Sequence, residues 1–129
     1  MYVLSATSKK HREGIDSRLI EISDLAITLT AIDFGHPKTG GLRTVEMQQE
    51  LHMNGVSPYC DGLIRRSKHQ SGKALDFYAY VDDRASWDEY HLAMVAAAFL
   101  QAAAQLGHKL KWGGLWTKRK DYPHVELID

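Results

Sequence analysis

The sequence carries one cysteine and three prolines in 129 residues, and its 16 basic side chains are matched by 16 acidic ones. A single thiol, Cys60, cannot close an intramolecular disulfide, which excludes a cystine-stapled secreted scaffold. It also excludes zinc sites built on two or more thiolates, so any metal must be held by histidine and carboxylate. Cys60 itself reads as a small, partly buried hydrophobe rather than a nucleophile. Zero formal net charge removes the basic footprint of a dedicated nucleic-acid binder. No apolar run reaches the roughly 20 residues of a bilayer span. The longest, over residues 92–106, is interrupted by Gln101 and Gln105, so no membrane insertion is expected. Near Met1 the basic residues follow a short apolar stretch, the reverse of a secretory signal, and no export address is expected.

What is present is the composition of an ordinary globular domain. At 44% hydrophobic and 25% charged, the chain lies far from the composition of disorder. Its length, with no repeat and no linker, predicts one domain over residues 1–129. Apolar residues at helical spacing predict a helix over 17–31, with Leu19, Ile22 and Leu29 on one face, and the segment from Ala31 can already turn to strand. Pro37 and the Gly40-Gly41 pair mark a loop, after which Thr44 caps a short helix over 45–53 that stops at Asn54-Gly55. Residues 55–72 have no clean period and read as an irregular loop. Residues 74–81 alternate as a strand, with Asp76, Tyr78 and Tyr80 on one face and Leu75, Phe77, Ala79 and Val81 on the other. Ser86-Trp-Asp-Glu89 fits a capping box for an alanine-rich core helix that ends at Gly107. Short strands are expected over 108–112 and 125–128, either side of a turn at Gly113-Gly114.

Seven histidines stand beside the lone cysteine. Two lie near carboxylates in a suggestive order. His69 precedes Asp76 by seven residues with Gly72 between them, so the loop can fold back onto the strand. His124 stands in Asp121-Tyr-Pro-His124-Val-Glu126 at the start of the last strand. If the two strands are neighbours, His69, Asp76 and His124 supply two nitrogens and one oxygen, a catalytic zinc shell with its fourth position open. Taken singly, each histidine reads as an ordinary hydrogen-bonding loop residue. His11, His36, His52, His91 and His108 have no partner at ligand spacing. Asp82, Asp83 and Asp88 lack the oxygen-ligand register of a calcium loop. The Lys9-Lys10 and Arg65-Arg66 pairs read as solvated surface.

The whole pattern is Ser67-x-His69-x-x-Gly72-x-Ala74-x-Asp76, then Trp112-Gly-Gly, then Asp121-x-Pro-His124-x-Glu126. Gly41-Leu-Arg43-Thr44 stands upstream, with Gln48 or Gln49 after it. Over residues 40–128 this resembles the M15 peptidases, which include D-alanyl-D-alanine carboxypeptidases and L-alanyl-D-glutamate endopeptidases of peptidoglycan. The resemblance implies an α+β fold like that of the hedgehog and DD-peptidase domains: a small, mainly antiparallel sheet, helices on one face and a zinc cleft on the other. It makes His69, Asp76 and His124 the ligands of one Zn2+ per chain, Asp121 the catalytic acid/base and Arg43 the group that binds the substrate carbonyl or carboxylate. Glu126 can orient a ligand or form a cross-strand pair, Ser67 can bond within its loop or line the cleft, and Trp112 and Trp116 belong to the cleft wall or the core.

The activity implied is hydrolysis of peptidoglycan stem peptides by a monomeric phage endolysin without a separate wall-binding domain. It would be made in the host bacterial cytoplasm and released to the wall by a holin-type lesion. Two alternatives stand beside the L-alanyl-D-glutamate endopeptidase: a D-alanyl-D-alanine carboxypeptidase of the same family, and a zinc-stabilised binding module without catalysis.

Overall fold

Every α-helix of the chain starts on a side-chain oxygen that accepts from a backbone N–H otherwise left without a partner. The computed structural model, which describes all 129 residues, places Ser5 before α1 (Ala6–His11), Asp16 before α2 (Ser17–Leu29) and Thr44 before α3 (Val45–Met53). Asp88 caps α4 (Glu89–Leu106). The expected cap at Ser86 is therefore corrected by two residues. The Asp88 carboxylate takes the N–H groups of Tyr90 and His91, while the Ser86 hydroxyl meets the His91 ring at 2.7 Å. α4 ends where expected, on Gly107 at φ 76°, a left-handed turn that glycine adopts freely. α2 stops at Leu29 because Thr30 is already extended. The short α1 has no apolar periodicity, so nothing in the sequence announced it.

The strand expected over 74–81 is two strands in two sheets. β2 (Ala74–Asp76) pairs antiparallel with β6 (His124–Leu127), which also pairs with β5 (Leu110–Trp112), giving the order β2-β6-β5. β3 (Tyr78–Val81) instead lies between β1 (Asp33–Gly35) and β4 (Arg84–Ser86). The change of partners falls at Phe77, whose N–H donates to the Pro123 carbonyl at 2.8 Å. The expected single sheet is thus two small antiparallel sheets of three strands each.

The alternation survives the break, since Leu75, Phe77 and Ala79 are fully buried. They meet Leu19, Ile22 and Ala26 of α2 and Leu92, Val95 and Phe99 of α4 in one core. Phe77 stacks on Phe99 with ring centroids 5.1 Å apart, and Phe34 tilts against the same ring at 5.0 Å. Burying each such side chain contributes about 1.5–3 kcal/mol, so this cluster fixes the strands against α4. No helix is long and apolar enough to cross a membrane.

One histidine without an expected role is a strut of this core. His36 is 1% exposed, and its Nδ1–H donates to the Asp76 carbonyl at 2.8 Å. That tautomer leaves Nε2 to accept from the Ser23 hydroxyl at 2.8 Å. Burial holds the ring neutral, with its pKa lowered from 6.5 to about 4. The unfolded chain therefore binds this proton first, and stability is lost as pH falls from 6.5 through the folded value. The loss amounts to about 3 kcal/mol once both states are protonated. Denaturant titrations of wild type and His36→Gln between pH 7 and 4 are expected to converge by about that amount as the pH drops.

Candidate metal centre

The register of β2 on β6 sets Asp76 directly opposite His124. His69 arrives from a 3-10 turn, Lys68–Ser71, that closes on Gly72 at φ 72°. That turn is capped by Ser67, whose hydroxyl accepts from the His69 N–H, while Gln70 returns a bond to the Ser67 N–H. Ser67 thus holds His69 in place by bonding within its own loop.

Three atoms converge: His69 Nε2, His124 Nδ1 and Asp76 Oδ1, each pair 3.2 Å apart. These residues form the one group of side chains spaced to hold a metal ion. The hydrogen bonds behind them determine what the three atoms present. His69 Nδ1 lies 3.0 Å from the Gly41 carbonyl, which only accepts, so its proton is there and Nε2 offers a lone pair. His124 Nε2 donates to Glu126 Oε1 at 2.8 Å, leaving the Nδ1 lone pair inward. Arg43 donates to the outer oxygen of Asp76 at 3.2 Å, leaving Oδ1 for the centre. Three such atoms facing one another suit a bound positive charge, a metal ion or a proton. Tetrahedral zinc with ligands at about 2.0–2.1 Å would hold them about 3.3 Å apart, which matches the spacing present.

The electrostatics point the same way. Burial alone would raise Asp76, but His69 and His124 hold it far below the usual carboxylate range. Burial alone would lower His124, yet its bonds to Asp76 and Glu126 raise it to about 9. The site thus retains positive charge strongly, a proton where no metal is bound. Behind it, Lys68 neutralises Glu126 at 3.0 Å. Partners of this kind fix ligand orientation, and their loss costs about 10–100-fold in metal affinity or activity. Glu126→Ala is accordingly expected to weaken zinc binding by about that factor, read by competition with a chromophoric chelator.

Asp121 stands at the rim, with Oδ2 3.8 Å from His124 Nδ1 and its side chain half exposed. Its backbone is seated against Gly113, where any Cβ would collide with the Asp121 carbonyl, and its N–H donates to Gly113 at 3.1 Å. Burial, and then the charge of Asp76, raise its pKa above the ordinary aspartate value. A carboxylate raised in this way holds its proton to higher pH than an ordinary aspartate.

Arg43 is more committed than its sequence pattern disclosed. It donates to the Thr39 carbonyl, to Gln48 Oε1 at 3.0 Å and to Asp76. Three of its five N–H groups are used, and two are left without a partner. Gln48 is a residue the sequence reading left open against Gln49. It is fully buried, and its amide also donates to Ser57 Oγ and the Cys60 carbonyl, both at 2.8 Å. The irregular loop is tied to the centre through it, and Cys60 takes part through its backbone. Trp112 belongs to the core, with Nε1 bonded to the Tyr122 carbonyl. Trp116 instead packs on His124, ring centroids 5.3 Å apart.

An α+β domain with two histidines and a carboxylate converging on one point, and a further carboxylate free beside them, has the make-up of a small metallohydrolase. The chain belongs to the phage L-alanyl-D-glutamate peptidase family, whose model matches residues 1–128. It is 32% identical over 133 aligned residues to the L-alanyl-D-glutamate peptidase of Escherichia phage T5, covering 94% of each chain. It is also 32% identical over 100 residues to the peptidoglycan L-alanyl-D-glutamate endopeptidase CwlK of Bacillus subtilis strain 168, covering 70% of this chain and 59% of that one. Among solved structures it resembles the Serratia marcescens L-Ala D-Glu endopeptidase ChiX, with a TM-score of 0.84 and 30% identity over 98% of this chain and 90% of that one. DacB of Streptococcus pneumoniae D39, 18% identical with a TM-score of 0.53 over 94% of this chain and 70% of that one, shares the fold.

Proposed function

We propose that this protein is a zinc-dependent endopeptidase that cuts the L-alanyl-D-glutamate bond of peptidoglycan stems and serves as a phage lysis enzyme. The observation that carries the reading is the convergence of His69, Asp76 and His124 beside Asp121, within a chain matched almost end to end by the peptidase family. His69, Asp76 and His124 would hold the ion. Bound zinc supplies Lewis acidity to the scissile carbonyl and to the attacking water.

The chain's own residues do the remaining work. Asp121, with its raised pKa, takes the proton of the attacking water and passes it to the leaving amine. Arg43, held by Thr39 and Gln48, turns its two unused N–H groups toward the carbonyl oxygen as negative charge develops there. A preorganised donor of this kind contributes about 3 kcal/mol to the transition state. Glu126 and the Gly41 carbonyl keep both imidazoles in the tautomers that face the centre. Synthesis in the host cytoplasm, followed by release to the wall through a separate membrane lesion, completes the reading.

Mass spectrometry of digested sacculi tests it. The expected products are glycan strands ending in L-alanine and peptides with a free glutamyl amine. Loss of terminal D-alanine alone would show a carboxypeptidase instead. Intact sacculi with zinc bound would show a binding module.

A further inference from the structure

Two loops meet beside the segment that leads into Asp121. The guanidinium carbon of Arg119 lies 4.1 Å from the centroid of the Tyr59 ring. Arg119 comes two residues before Asp121 and has φ 56°, a region that side chains other than glycine rarely adopt. Tyr59 belongs to the opposite loop, which Gln48 anchors at the Cys60 carbonyl and Gln70 at the Gly62 carbonyl. The segment before Asp121 is therefore tied, through the Arg119–Tyr59 contact, to the loop that Gln48 holds at Cys60, and Gln48 in turn holds Arg43.

This inference rests on the proposed endopeptidase reading and extends it to specificity. A glutamyl residue has two carboxyl groups, and a continuing peptide chain consumes one. The residue on the leaving side of an alanyl-glutamate bond thus brings a free carboxylate within a few bonds of the scissile nitrogen. Asp121 must reach that nitrogen, and its own charge would repel the incoming carboxylate. A cation is needed on Asp121's side of the cleft. Arg43 is bonded to three acceptors and its two remaining N–H groups are assigned to the scissile carbonyl, and Lys120 Nζ is bonded to the Gly114 carbonyl. Arg119 is exposed, its guanidinium carbon lies over an aromatic ring, and its N–H groups are engaged by no hydrogen bond or ion pair within the chain. That fork matches a carboxylate in a bidentate pair, and stacking limits the freedom it would lose on binding.

We propose that Arg119, steadied by Tyr59, is the specificity residue that binds the free carboxylate of the glutamyl residue on the leaving side of the scissile bond. The test compares zinc-loaded enzyme on two soluble stem peptides. One carries that carboxylate, and in the other it is converted to the neutral amide. Wild type is expected to favour the acid by about 10–100-fold in kcat/KM, the worth of a charge-assisted hydrogen bond. Arg119→Gln should bring the ratio close to one, mainly by raising KM for the acid. Tyr59→Phe should keep the preference and Tyr59→Leu should reduce it. The inference is overturned if wild type treats the two peptides alike or if Arg119→Gln keeps the wild-type ratio. An equal loss on both peptides also overturns it, because a loop strap without carboxylate recognition acts in that way. Failure of wild type to cut either peptide would defeat the endopeptidase reading itself, and this inference with it.

Discussion

His124→Ala is expected to purify without zinc and without measurable hydrolysis of sacculi. The substitution removes one of three converging donors and strands Glu126, which then has only Lys68 as partner. Two donors and an open side do not make a closed site for an ion that takes four. The effect on stability separates this from simple misfolding. Zinc at about 1,000 times its dissociation constant stabilises a folded site by about 4 kcal/mol. Added zinc should therefore raise the Tm of metal-stripped wild type and leave that of His124→Ala unchanged. Chelation should silence wild type reversibly. Zinc retained at one equivalent by purified His124→Ala would overturn the ligand assignment.

Asp121→Asn has the opposite signature. The amide keeps the shape of the side chain and its seat against Gly113 but cannot carry the proton. Zinc should remain at one equivalent, and kcat should fall by about 10²–10⁴-fold, the usual range for a positioned acid/base. The wild-type profile should require the deprotonated carboxylate for attack. Because burial and Asp76 raise the Asp121 pKa, the acid limb of kcat/KM should lie above the range of an ordinary aspartate. The variant should lack that limb. Loss of zinc together with activity would make Asp121 a metal ligand instead.

The convergence of His69, Asp76 and His124 was legible because each of its parts is local in sequence. A histidine, a turn glycine and an aspartate entering a strand predict their own geometry, and a second histidine at the head of another strand needs only that the strands pair. The register of Asp76 on His124 supplies that. Other features depend on what lies across the molecule and left no local trace. The switch of sheets at Phe77 follows from the Pro123 carbonyl capturing its N–H, although the alternating pattern runs through without a break. His36 resembles any loop histidine until Ser23 and Asp76 close around it. Ser86 and Asp88 both offer a capping oxygen, and the choice is made by where α4 docks. Arg43 reads as a substrate group from its motif, yet its bond to Asp76 is a contact across 33 positions of the chain.

The order β2-β6-β5 has a consequence in time. The middle strand of the site-bearing sheet follows both of its neighbours in the chain. A ribosome that has reached residue 120 has made α4, both flanking strands and His69 with Asp76, but neither Asp121 nor His124. Until β6 emerges, β2 and β5 have no partner between them and the metal-binding group is one member short. The proposed centre therefore cannot form before β6 has been made. Its completion depends on the insertion of a single four-residue strand between two that are already there.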